Sequence, residues 1–285
     1  MLAFALLLAV TAVWGVTFVQ VKDAVAIYPL FAFLAVRFAI ASLTLAPFAA
    51  TRLRSGGLRA GTVLGLLLAT GYGLQTAGLE RTTVSAAGFV TGLYVVFTPL
   101  LGLLLFRLRA GRTVWAGVAL ATAGLAMLSG FREAGSPSGD LLVLGGAAAF
   151  ALQIVLMERW APRYDVLALT LVEMLAAFVA FLVIALALGD LSWPEGWTVW
   201  GALLVTGVFA SALAFLVQTW AQRRTSATRV AVVFAMEPVF AGLFGYLLAG
   251  DRLGALGWTG CAVILCGIAV AEPAAARSLR RLLRR

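Results

Sequence analysis

Thr82 to Phe106 reads TTVSAAGFVTGLYVVFTPLLGLLLF, a run without charge, with Pro99 in its interior. A bilayer-spanning helix needs about 20 predominantly apolar residues, so this stretch is long enough to cross. A second stretch, Ser226 to Leu248 (SATRVAVVFAMEPVFAGLFGYLL), again opens on Ser-Ala, again holds a proline, Pro238, and adds Glu237 beside it. Proline removes a donor from the helix ladder. The pair therefore predicts a duplicated, all-α, polytopic membrane protein with an interrupted helix in each half.

Composition extends this reading to the whole chain. Of 285 residues, 63% are hydrophobic and 12% charged, against roughly 45–50% and 25% in an ordinary soluble domain. Ten apolar spans can be drawn: 2–20, 29–50, 58–79, 82–106, 113–130, 139–157, 166–188, 198–220, 226–248 and 254–271. They leave only short loops and a tail, with no room for a soluble catalytic or nucleotide-binding domain. No cofactor is expected. The absence of histidine excludes His-ligated metals and His proton relays. Cys261 and Cys266 lie five apart in the last span, a spacing that cannot reach disulfide geometry within a helix.

The net charge of +9 does not point to nucleic acid, because the basic residues are sorted by loop. With the start of the chain inside, Arg52, Arg54, Arg59, Arg107, Arg109, Arg112, Arg159, Arg163, Arg223, Arg224, Arg229 and the tail arginines fall on inner segments. Only Lys22, Arg81, Arg132 and Arg252 fall on outer loops, and Arg37 lies within a span. This is the positive-inside pattern, and it predicts both termini in the cytoplasm. The first residues, MLAFALLLAVTAVWG, lack the basic n-region of a signal peptide and read as a retained first span. The tail RSLRRLLRR (Arg277 to Arg285) reads as an anchor on the anionic inner leaflet.

An internal repeat is visible by eye. Gly65, Thr70 and Gly71 match Gly201, Thr206 and Gly207; Arg37 matches Glu173; Trp14 matches Phe150; Pro99 matches Pro238; Gly117 and Gly124 match Gly260 and Gly267. The boundaries are 1–130 for a first five-helix repeat, 139–271 for a second and 272–285 for the basic tail. Five spans is an odd number. The two repeats are therefore expected to be inverted, as in many secondary transporters.

The motifs WGVTF (Trp14 to Phe18), VRF (Val36 to Phe38), GLYVVFTPLLG (Gly92 to Gly102) and TSATRVAVVFAMEPVFAGLFG (Thr225 to Gly245) resemble the ten-span drug/metabolite transporters of the EamA type. The resemblance covers nearly the whole chain. It implies export of small metabolites, amino acids among them, without ATP, by alternating access. Two positions depart from the family pattern: Asp251 stands where a Glu is usual, and the matching segment Arg107 to Arg112 has no acid.

Candidate transport residues are the polar and aromatic groups inside spans. Trp14 lies deep in the first span, as cavity wall or as a helix-packing residue, whereas the other seven tryptophans sit near span ends, where aromatic belts form. Tyr72, between Gly71 and Gly73, and Tyr94 need hydrogen-bond partners away from water. Gln75 and Gln153 should face the bundle interior, toward substrate or a neighbouring helix. With Phe150, Phe234 and Glu237 they form the expected substrate site, and Pro99 and Pro238 are the expected hinges. Freed carbonyls near Val95 and Phe234 would add acceptors for an ammonium group. Arg37 and Glu173, each roughly 12 Å deep at 1.5 Å per residue, are expected to be coupled near the midplane, as a direct pair or through separate partners. Glu237, roughly 16 Å deep, is the candidate for proton coupling or for binding a substrate ammonium.

The expected partners are a small-molecule substrate and the lipid bilayer, not nucleic acid. Nothing in the sequence sets the oligomeric state, and a monomer is compatible with it. Drug export and a facilitative channel are the alternatives. A membrane enzyme would need an acid, His or Cys cluster at a membrane face, which the chain lacks.

Overall fold

The computed structural model describes residues 2–55, 57–82, 84–129, 136–244 and 254–271, and these are helical with short connections. The basic tail, the outer arginines Arg132 and Arg252, Asp251 and the end of the second proline stretch lie outside the described residues. Leu- and Ala-rich runs form helices here because only an intrasegment ladder satisfies backbone groups away from water.

The chain runs through α1 (Leu2–Val25), α2 (Leu30–Ala49), α3 (Leu58–Leu79), α4 (Val84–Gly92), α5 (Tyr94–Phe106) and α6 (Arg112–Ser129). It continues with α7 (Pro137–Trp160), α8 (Val166–Leu188), α9 (Gly196–Leu204), α10 (Ala214–Gln222), α11 (Ala227–Phe234), α12 (Glu237–Phe244) and α13 (Ala255–Ala271). A π-helical segment, Val205–Leu213, joins α9 to α10 without a break. Among the described residues seven helical stretches are long and apolar enough to cross a membrane, the α4–α5 and α9–α10 runs each counting as one. The helices α6 and α13 are shorter apolar helices, and α11 and α12 are separate short pieces.

The distribution of side chains is that of a bundle in lipid. Large apolar groups face outward, with Leu104, Leu186 and Val183 well exposed, while Arg37, Gln153, Glu173, Gln218 and Glu237 are buried. Trp193 and Trp197 are among the most exposed side chains, at the end of the bundle where an aromatic belt would lie.

Segments before and after residues 130–135 interleave. The most extensive helix contacts are α6 with α13, α3 with α7 and α8, and α2 with α8, whereas α1 and α2 barely touch each other. Glycines set the closest approaches. A Cβ on Gly117 would stand 2.7 Å from the carbonyl oxygen of Gly267, and one on Gly124 would stand 2.7 Å from that of Gly260. Backbones therefore meet directly along the α6–α13 seam, the geometry that small residues permit between membrane helices. Gly57, before α3, has φ 61°, and its bare Cα lies under the Tyr164 ring, where a Cβ would be 2.6 Å away. At the start of α8, Asp165 caps the helix by accepting from the Ala168 amide at 3.0 Å.

The interrupted helices depart in detail from the expectation. The first break falls at Leu93, where α4 ends and α5 begins, while Pro99 lies inside α5. The Leu93 amide turns back to the Val90 carbonyl at 3.2 Å. The preceding sequence, Gly88 to Gly92, has weak helix propensity, which favours interruption there over Pro99. In the second stretch Ala235 and Met236 separate α11 from α12, and Pro238 occupies the first turn of α12, where a missing N–H is tolerated.

Candidate functional site

A cavity lies between α1, α2, α3, α4 and α5 on one side and α7, α10, α11 and α12 on the other. Its atom-free volume is about 690 Å³ including the mouth, but a water molecule's centre can occupy only about 70 Å³ of it. That is room for a few ordered waters at roughly 30 Å³ of liquid volume each.

All eight residues expected to bind substrate line this one cavity: Trp14, Tyr72, Gln75, Tyr94, Phe150, Gln153, Phe234 and Glu237. The rings form a connected cage. Trp14 meets Phe234 edge-on at 4.8 Å and Phe215 at 5.8 Å; Tyr72 meets Phe150 at 5.0 Å; Tyr94 meets Phe234 at 6.5 Å. Edge-to-face contacts at these separations are the favoured aromatic geometry. The Trp14 indole N–H donates to the Ala210 carbonyl at 2.8 Å. It is therefore held both by packing and by a hydrogen bond into the π segment.

Polar groups punctuate the cage. Gln75 Nε2 donates to Thr91 Oγ1 at 3.0 Å, and the Tyr94 hydroxyl donates to Glu237 Oε2 at 3.4 Å, a long contact. A chain of amides runs from the cavity into the bundle. Gln218 Nε2 donates to Gln153 Oε1 and to Gln222 Oε1, both at 2.9 Å, and Gln153 Nε2 donates to Glu173 Oε1 at 2.7 Å. The other carboxylate oxygen of Glu173 is buried with no partner among the described residues.

Arg37 and Glu173 do not form the direct pair that their similar depths allowed. Arg37 Nε donates to Ser211 Oγ at 2.9 Å, and its guanidinium stacks on the Tyr72 ring with its central carbon 4.4 Å from the centroid. Glu173 instead takes Gln153. Depth along a helix does not fix direction around it, and although α2 packs on α8 the two side chains leave that contact toward different neighbours. Arg37 faces the cavity; Glu173, Pro99 and Pro238 are not part of its lining.

Four contributors escaped sequence reasoning. Gln218 and Thr91 line the cavity, Phe215 completes the cage, and Ser211 anchors Arg37. Gln218 carried the same signal as Gln153, an amide within an apolar span. Ser211 carried none, because its position depends on the π segment, whose sequence VTGVFASAL looks like ordinary helix. Inserted π turns recur at functional sites because they re-aim a helix face.

Comparison with known proteins is consistent along the chain. A crystal structure 22% identical in sequence shares the fold, matched with a TM-score of 0.79 over 96% of this chain and 98% of that one. An uncharacterized transporter of Archaeoglobus fulgidus is 32% identical over 261 residues, 92% of this chain and 82% of the relative. The uncharacterized inner membrane transporter YedA of Escherichia coli K12 is 28% identical over 93% of this chain and 89% of its own length. The threonine/homoserine exporter RhtA of Salmonella typhimurium is more distant, 26% identical over 74% of this chain and 71% of its own length. The model of the EamA-like transporter family matches residues 1–130 and again 137–271. The chain therefore belongs to the EamA-like transporter family, within the drug/metabolite transporter superfamily, and is a multi-pass membrane protein.

Proposed function

We propose that the chain is a secondary transporter that exports small amphipathic metabolites, amino acids foremost, across the inner membrane by alternating access. The observation that carries this reading is the convergence of an aromatic cage, Gln75, Gln153 and Glu237 on one small cavity between the interleaved segments. Rings take an apolar side chain. Glu237 takes an ammonium group or exchanges it for a proton. The distant exporter RhtA acts on amino acids by its name, which favours the same substrate class here.

The architecture we propose is ten spans in two inverted repeats, residues 1–130 and 139–271, with both termini cytoplasmic. The glycine seam supports it. The repeat matches Gly117 with Gly260 and Gly124 with Gly267, so a two-fold exchange turns the contact Gly117–Gly267 into Gly260–Gly124, and both contacts are present. The family model matching once in each half is further support.

The test is flux in proteoliposomes loaded with labelled amino acids, with and without a pH gradient. Saturable efflux and counterflow are expected. Unitary currents would indicate a channel, and efflux of lipophilic drugs with none of amino acids would favour the drug-export alternative. Glu237→Gln should abolish gradient-driven flux while sparing counterflow, because the amide mimics the protonated acid. Gradient-driven flux equal to wild type would remove Glu237 from the mechanism.

A further inference from the structure

We propose that Arg37 is the anchor for a substrate carboxylate, so that the cavity selects solutes carrying an acidic group as well as an amine. The inference rests on the transport reading above and deepens it. Arg37 is 3% exposed and lines the cavity, yet it forms no ion pair with any acid among the described residues. An arginine has five donors in a planar fork. Here Nε donates to Ser211 Oγ, and Tyr72 both covers one face of the guanidinium and lies within hydrogen-bonding reach of it, so the two residues together fix its orientation.

An isolated cation at this depth is costly and is retained where it meets a pathway or a ligand. Glu237 is an acid on the same cavity, and the two form no ion pair. A cation and a carboxyl group that do not pair with each other, with an aromatic cage beside them, match a zwitterion with an apolar side chain. Fixing Nε on Ser211 and the ring plane on Tyr72 leaves a terminal edge of the guanidinium to the incoming group, and a planar fork suits a carboxylate because both its oxygens can accept at once. Ser211 and Tyr72 are positioning residues for this edge.

The experiment uses the full chain in proteoliposomes and in detergent, with L-threonine and L-phenylalanine against their carboxamides, which keep the amine and side chain but lack the acid. Wild-type protein should be stabilised against heating by the amino acids and transport them roughly ten- to a hundred-fold better than the amides, since a buried group built for a missing partner discriminates strongly. Arg37→Gln should erase that preference by losing amino-acid flux while amide flux is kept, and Arg37→Lys, which keeps the charge without the fork, should retain part of it. Amino-acid preference unchanged in Arg37→Gln overturns the proposal, as does equal loss of acid and amide flux in Arg37→Gln protein whose melting temperature matches that of wild type. Wild-type protein that transports neither compound overturns the amino-acid reading along with it. Wild-type protein that transports both equally overturns the carboxylate anchor alone.

Discussion

At the residue scale, the site depends on one hydroxyl that no sequence pattern announced. Ser211 is fully buried and accepts from Arg37 Nε at 2.9 Å. Removing the acceptor leaves a buried charged donor without its partner, a loss of about 1–3 kcal/mol. Ser211→Ala should therefore lower thermal stability by a few degrees and raise the substrate KM more than it lowers kcat, and Ser211→Thr should recover both. A variant with wild-type KM would show that Arg37 holds its orientation through Tyr72 alone. The residues around Ser211 differ in how readable they were. Trp14, Tyr72 and Gln153 stand out because a polar or aromatic group inside an apolar span must face protein or cavity. The partner of Arg37 was unreadable for a geometric reason: depth can be counted along the sequence, but direction around the helix is set by packing.

At the element scale, α6 and α13 act as one unit. Their seam is built from reciprocal glycine contacts in which an added Cβ would lie 2.6–2.8 Å from a carbonyl oxygen across the interface. Backbone cannot yield as a flexible side chain does, so substitution must push the helices apart. Gly124→Leu and Gly260→Leu should each lower stability by about 1–3 kcal/mol, as overpacking does. Because the two glycines touch, the double variant should lose less than the sum of the singles. Melting temperatures of the three variants check this, and additive losses would mean that the seam relaxes locally. These helices were legible as apolar runs with matched glycines. Their facing partners were not, since matched positions in a repeat say which residues are equivalent, not which ones touch. The break at Leu93 was likewise hidden behind the stronger signal of Pro99.

At the scale of the whole molecule, the uneven distribution of arginines argues an orientation that a labelling experiment can test. In a chain whose Cys261 and Cys266 are first changed to Ala, Glu195→Cys, exposed just before α9, should react with a membrane-impermeant maleimide on intact cells. Reaction only after lysis would reverse the topology. The interleaving of the bundle also bears on how the protein is made. The main packing surfaces of α2 and α3 are α7 and α8, and that of α6 is α13, all of which are synthesised later. The early helices therefore leave the ribosome with glycine seams open and Arg37 lacking Ser211, and must wait in the membrane until the remainder arrives. Truncation products ending near residue 130 should consequently be substrates for quality-control proteolysis rather than stable half-proteins, and the insertion machinery must shelter the first helices until the last one docks.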